Sequence, residues 1–264
     1  MKPLLVLAAF PMVLMGWASC SHSGTGHAAL PDPRAVDKSV PEYKNPFHPS
    51  TYAHFVARKD YRKTYDVYKD DTLLNRQPKK SRKIFVCLDE QRGQYLVDGL
   101  VAMDFPLSSG VKAYPTKTGD YAVISKKEDH TSNLYGKMYD AEGKCINYNA
   151  ESTDPIPEGG RFDGSPMPYW QRLTNAGLGL HVGKVRRHPV SHGCVRLPRN
   201  VAEILYRQTS IGTPVTIQKT PLPVPEAQKI PPAQQQESGV KDRSGKLHAQ
   251  VFSGTPENGL EYLT

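Results

Sequence analysis

Cysteine is scarce in this chain: Cys20, Cys87, Cys145 and Cys194 are the four among 264 residues. No two stand in a CxxC pair, which excludes a zinc ribbon and a thioredoxin-type redox motif. Long apolar runs are lacking beyond the first twenty residues, and a mean hydropathy of −0.54 argues against an integral membrane protein. Acidic residues are outnumbered, 26 against 34 lysines and arginines, for a formal net charge of +8. That excess favours anionic surroundings. No arginine-rich helix, RNP-like motif or zinc-finger spacing accompanies it, so nucleic acid is not the expected partner. No internal repeat is visible, and the length suits one domain with appendages or two small domains.

What is present begins with an export signal. Lys2 precedes an apolar run from Pro3 to Met15, followed by small residues at Ala18 and Ser19. Residues 1–20 therefore read as a secretory signal peptide, outside the fold, that sends the chain to the periplasm or cell envelope. Ala18-Ser19-Cys20 also resembles the end of a bacterial lipobox, with Trp17 where that motif usually carries leucine. Either Cys20 is lipidated and anchors the protein to the membrane, or cleavage nearby releases it. In an oxidising compartment Cys87 and Cys145 are able to pair. Cys87 lies in an apolar alternation, however, and is more simply a buried small residue.

Residues 21–80 are rich in proline, tyrosine and charge, and read as an extended tether punctuated by Pro31, Pro33, Pro41, Pro46 and Pro49. Within it Tyr52, Phe55, Val56, Tyr61, Tyr65 and Tyr68 recur at roughly helical intervals, predicting a short helix packed on the main domain. Residues 81–220 read as a β-rich domain. Ile84, Val86 and Leu88 alternate with Phe85 and Cys87 as in a strand, and Tyr95 to Val97 resumes the alternation after a turn at 89–93. Asp98-Gly99 is a tight-hairpin signal, because glycine tolerates the positive φ of a type I′ turn. Further strands are expected at 101–107, 120–125 and 215–217. Asn200 as cap, Glu203 three later, and Val201, Ile204 and Leu205 on one face predict a helix between the last two. The tail, residues 221–264, lacks apolar periodicity and is expected to be disordered.

The chemistry concentrates in Gly179-Leu-His-Val-Gly183 and Ser191-His-Gly-Cys-Val-Arg-Leu197. A thiol attacks only as thiolate, and either His181 or His192 is placed to take the proton of Cys194. Between His181 and Arg199 stand five basic residues, Lys184, Arg186, Arg187, Arg196 and Arg199, and no acidic one. This setting predicts a thiol of lowered pKa. Gly193 permits a sharp turn that would aim N–H groups at a developing oxyanion. Zinc held by His181, His192 and Cys194 is the competing chemistry, but it lacks an evident general base.

Ser-His-Gly-Cys-Val-Arg-Leu resembles the signature of the L,D-transpeptidases, the YkuD-type enzymes of bacterial peptidoglycan. The resemblance runs over about residues 83–218: a strand like Ile84-Phe-Val-Cys-Leu88, Gln91 in a turn, Phe105-Pro-Leu-Ser-Ser-Gly110, Pro115-Thr-Lys-Thr-Gly119 and Met167-Pro-Tyr-Trp170. It implies a mainly β fold, a YkuD-like β-sandwich with one or two short helices, needing no metal or other cofactor. It implies Cys194 as nucleophile and His181 as the histidine that takes its proton. Ser191, His192 and Gly193 would shape the pocket, with Arg196, Tyr169 and Trp170 at the substrate. The partners implied are peptidoglycan stem peptides, donor and acceptor. Two features depart from many members: Val182 intervenes before Gly183, and only thirteen positions separate His181 from Cys194. Within the enzyme class, water or a protein is an alternative acceptor. Outside it, a non-catalytic peptidoglycan-binding module would use the same basic surface, but has no need of Cys194 and both histidines.

Overall fold

The computed structural model of the chain describes residues 30–77 and 81–230. The signal, Cys20 and residues 231–264 lie outside the described residues. In chain order the elements are α1 (Tyr52–Ala57), β1 (Tyr68–Lys69), α2 (Asp71–Asn75), β2 (Arg82–Cys87), β3 (Arg92–Val97), β4 (Leu100–Pro106), β5 (Gly119–Ala122) and β6 (Ser125–Lys127). They continue with β7 (Thr131–Tyr139), β8 (Cys145–Glu151), β9 (Arg161–Pro166), β10 (Trp170–Arg172), β11 (Gly179–Val182), β12 (Val195–Leu197), α3 (Arg199–Gln208) and β13 (Pro214–Gln218).

The strands form three sheets, ordered β1-β4-β3-β2-β13-β5, β12-β11-β10-β6 and β8-β7-β9. The first two face each other across one core, as in a sandwich. Ile84, Val86, Tyr95 and Val215 meet Leu180, Val195 and Leu197 there, with Val201, Ala202 and Leu205 of α3 closing one side. The fold is thus the expected mainly β one with a few short helices. Asp98 and Gly99, at φ 51° and 80°, make the expected tight turn between β3 and β4. The helix α3 begins one residue earlier than the expected cap. Pro198, in an extended conformation, precedes it with no side-chain cap, so Asn200 sits in the first turn.

The expected tether is corrected over residues 31–76. This segment folds onto the outer face of the six-stranded sheet, because its aromatic residues have apolar surface to bury. Phe47, Tyr52, Phe55, Val56 and Tyr61 form a second core with Val101 and Val224. A polar network seals it. The fully buried Asp104 on β4 accepts from Arg92 at 2.5 Å, Tyr52 at 2.6 Å and Tyr61 at 2.8 Å. The sheet is therefore covered on this face as well, and along β2 Phe85 and Cys87 are as buried as Ile84 and Val86.

The tail is corrected likewise over residues 221–230. Val224 is buried, and the Gln228 amide accepts from the Val101 N–H at 2.8 Å and donates to its carbonyl at 2.9 Å. β1 is only two residues long and leaves this stretch of β4 without a strand partner, so the side-chain amide supplies the missing ladder bonds. Cys87 and Cys145 are unpaired, and the buried Cys87 thiol donates to the Lys219 carbonyl. Among the described residues no helix is long and apolar enough to cross a membrane.

Candidate active site

β11 and β12 run parallel, with Leu180 opposite Val195 and His181 opposite Arg196. Side chains alternate along a strand. Leu180, Val195 and Leu197 enter the core at 0% exposure, so His181, Arg196 and Cys194 emerge on the other face. There they line one cavity of about 700 Å³. Gly179 leaves the room that lets Trp170 lie along this floor beside His181, since a Cβ there would lie 2.5 Å from the indole ring. The three-stranded sheet supplies the opposite wall through residues such as Tyr135, Tyr148 and Pro166.

The segment carrying Cys194 is held by a dense set of local bonds. Gly193 has φ 112°, open to glycine alone without strain. Its N–H donates to Ser191 Oγ at 3.2 Å, and that hydroxyl donates to the Cys194 carbonyl at 2.5 Å. The Gly193 N–H is thus engaged within the turn, and the buried Ser191 braces the backbone. Thr116 donates to the Gly193 carbonyl at 2.6 Å and accepts from the Gly110 N–H at 2.8 Å. Gly110 permits this approach: a Cβ there would lie 2.0 Å from the Tyr114 carbonyl oxygen and 2.8 Å from Gly193 Cα.

His181 is 6% exposed. Its Nδ1 lies 2.8 Å from the Val182 carbonyl, which only accepts, so Nδ1 carries the proton and Nε2 the lone pair. Burial pushes the imidazole down to about 4, aided by the Arg196 and His130 charges and against the pull of the Val182 carbonyl. The Cys194 thiol, 3.3 Å from the Gly177 carbonyl, is pushed up by burial, which outweighs the Gly179 N–H and the Arg196 charge. The expected lowering of the thiol is therefore reversed, for a reason of direction. Arg187 points to the Tyr61, Thr64 and Glu90 carbonyls and Arg199 lies over the Tyr169 ring. Of the cationic run, Arg196 acts on the sulfur. The resting site is a neutral thiol with a neutral imidazole.

The other expected residues divide. Trp170 lines the cavity between His130 and His181, with ring centroids 5.0 and 5.9 Å away. Tyr169 does not line it: with φ 55° it turns to Tyr206, 5.6 Å between ring centroids. Of the two, only Trp170 is among the residues that line the cavity. His192 is exposed and stacks on Tyr135 at 4.4 Å, with Tyr114 at 4.9 Å. It does not join His181 and Cys194 in a metal-holding group, and among the described residues no grouping of that kind occurs. Arg196 is half-buried, forms no ion pair among the described residues, and lies against Gly183, where a Cβ would be 2.8 Å from its Cγ. Tyr114, Lys117, His130, Tyr135 and Arg172 line or flank the site without having been singled out in the sequence. Tyr135 lies in the middle of β7 and carries no local signal in the sequence.

Residues 81–217 match the family described as the L,D-transpeptidase catalytic domain, YkuD. A probable L,D-transpeptidase 3 of Mycobacterium tuberculosis is 31% identical over 121 residues, covering 43% of this chain and 38% of that protein. Among solved structures, an L,D-transpeptidase from Mycobacterium smegmatis is 22% identical with a TM-score of 0.41, over 52% of this chain and 58% of that one. L,D-transpeptidase 3 from Mycobacterium tuberculosis with a faropenem-derived adduct is 24% identical with a TM-score of 0.38, over 52% and 60%. The chain thus spans well under half of the curated relative and about three fifths of these structures.

Proposed function

Because the chain belongs to the family of YkuD L,D-transpeptidase catalytic domains, we propose that it is a cysteine acyltransferase acting on peptidoglycan stem peptides outside the cytoplasm. Cys194 is the nucleophile and His181 its base. The observation that carries this reading is the placement of both side chains on one cavity, His181 on β11 and Cys194 immediately before the parallel β12, with the proton of His181 pinned at Nδ1. The unprotonated Nε2 is left to accept a proton from the thiol as it attacks.

In this reading the sulfur attacks the carbonyl of the third stem residue while His181 takes the S–H proton. Collapse of the tetrahedral adduct breaks the amide to the fourth residue, and His181 returns the proton to the departing D-alanine amine. The thioester is then attacked by the amine of a second stem, whose proton passes through His181 back to the sulfur. One amide is exchanged for another with no net energy input. Because both groups rest neutral, proton transfer accompanies attack rather than preceding it. Lys117, Arg172, Lys184 and Arg196 line the cavity, and among the described residues no Asp or Glu does, which suits a stem peptide bearing carboxylates.

A 3→3 cross-link is the product expected, with water or a wall-anchored protein as alternative acceptors. Incubation with sacculi followed by muropeptide separation tests this. New dimers linked between third residues support cross-linking; shortened monomers alone point to a carboxypeptidase. No change relative to Cys194→Ala contradicts catalysis and leaves a binding module. The reading keeps the exported location inferred from residues 1–20, with a lipidated Cys20 as membrane anchor; equal partitioning of Cys20→Ala and wild type on fractionation would refute the anchor.

A further inference from the structure

We propose that Arg187 is a positioning residue through which the N-terminal segment, residues 31–66, holds the loop that carries Cys194 in register with His181. This rests on the reading of Cys194 as nucleophile.

Thirteen positions separate His181 from Cys194, and the stretch between them has no regular structure of its own beyond the end of β11. Such a loop needs external ties if its nucleophile is to stay fixed against a base on the neighbouring strand. Besides the Thr116 bond to the Gly193 carbonyl and the Val111 N–H bond to the Ser191 carbonyl at 3.0 Å, three ties are present. The Arg186 N–H donates to Ser108 Oγ at 2.8 Å, and the Val190 and Ser191 N–H groups donate to the Ser109 carbonyl at 2.8 and 3.0 Å. Both of these bind the loop to the chain that leaves β4 of the six-stranded sheet. The third, Arg187, reaches out of the catalytic sandwich. Its guanidinium donates to the Thr64 carbonyl at 2.5 Å, the Tyr61 carbonyl at 3.3 Å and the Glu90 carbonyl at 2.8 Å.

Arg187 holds φ at 59°, a conformation unfavourable for a side chain of this size. A non-glycine residue persists there when its surroundings over-determine it, and three backbone acceptors on two other segments do so. The receiving surface is itself built. Arg92 donates to the Thr64 and Asp66 carbonyls at 3.2 and 3.0 Å while paired with Asp104, and Arg34 pairs with the buried Glu90 carboxylate at 2.7 Å. Gln91, next in the same turn, exchanges hydrogen bonds with Ser109 at 2.8 and 2.9 Å. The turn at 88–92 thereby joins the N-terminal segment to the backbone on which Ser191 rests. Nothing in this network lines the cavity apart from the residues it braces, so Arg187 acts through the loop and not on substrate.

The test uses the full chain with Arg187→Gly, which accepts the positive φ and removes only the anchor, and Arg187→Lys, which keeps one charge and a donor. Two readouts are taken: saturation kinetics of Cys194 acylation by imipenem, and the pH midpoint of Cys194 alkylation by iodoacetamide, each located by peptide mass. Ile217→Val, a core change remote from the loop, is the control for lost stability. Arg187→Gly is expected to lower the maximal acylation rate about tenfold or more at an unchanged half-saturating concentration. It is also expected to move the alkylation midpoint down toward a free thiol's, with Arg187→Lys between and Ile217→Val like wild type. Wild-type values for Arg187→Gly in both readouts overturn the proposal. If wild-type Cys194 resists imipenem altogether, the proposed reaction is in difficulty, and the alkylation midpoint still decides the role of Arg187.

Discussion

Replacing Asp104 by Asn should be among the most damaging isosteric changes in this protein, although Asp104 lies outside the cavity. Its carboxylate is fully buried and takes Arg92 on one oxygen and the Tyr52 and Tyr61 hydroxyls on the other. An amide of the same shape loses the charge and turns one oxygen into a donor. That donor must face either the Arg92 guanidinium or the two hydroxyls. Arg92, itself 1% exposed, keeps the Tyr61, Thr64 and Asp66 carbonyls but no counter-charge. Removing one partner of a buried pair costs about 3–5 kcal/mol. At roughly 2–4 °C per kcal/mol for a domain of this size, the melting temperature should fall by about 6–20 °C. Calorimetry measures the fall, and limited proteolysis should show cleavage within residues 31–66 before the rest of the chain. A shift under about 2 °C with the N-terminal segment still protected would refute the view that this network clamps the segment to the sheet.

Three further outcomes follow from the site. His181 is held neutral down to about 4 against its ordinary 6.5, so the unfolded chain binds the extra proton first and stability is lost as pH falls from 6.5 toward 4. The loss approaches roughly 3 kcal/mol; denaturant titrations should show this acid limb, and His181→Gln should flatten it. Since burial raises the Cys194 thiol, its alkylation rate should climb about tenfold per pH unit through neutrality, whereas a plateau below pH 7 would reveal an ion pair. Cys87, pushed up to about 11 by burial, should stay unmodified in the folded protein. Gly110→Ala should reduce Cys194 acylation by roughly 10²-fold, because the new Cβ displaces the Gly193 turn; wild-type kinetics would show that turn to be dispensable.

The parts of the fold legible in the sequence are those governed by neighbours along the chain. Asp98-Gly99 marks its own turn through backbone conformation, and Val201, Ile204 and Leu205 mark α3 through spacing. Ser191-His-Gly-Cys194 was legible because its chemistry is contiguous. Residues 131–166 were not: β7 and β8 alternate no apolar face, being mostly exposed where they wall the cavity instead of entering the core. The prolines between 31 and 49 suggest an extended chain, yet that segment is folded by aromatic burial against the sheet and sealed by Asp104, more than forty residues from Tyr61. The direction of the thiol shift failed for a related reason. Counting arginines near Cys194 in the chain says nothing of where they point, and Arg187 reaches back to Thr64.

The central claim is that Cys194 forms a thioester with a stem peptide, and mass analysis of the intact protein mixed with a purified disaccharide tetrapeptide tests it most directly. The account predicts a covalent increment equal to the donor less D-alanine, located on Cys194, absent in Cys194→Ala, and discharged when an acceptor amine is added. Release of D-alanine at the wild-type rate from Cys194→Ala, or an adduct on any other residue, would contradict it.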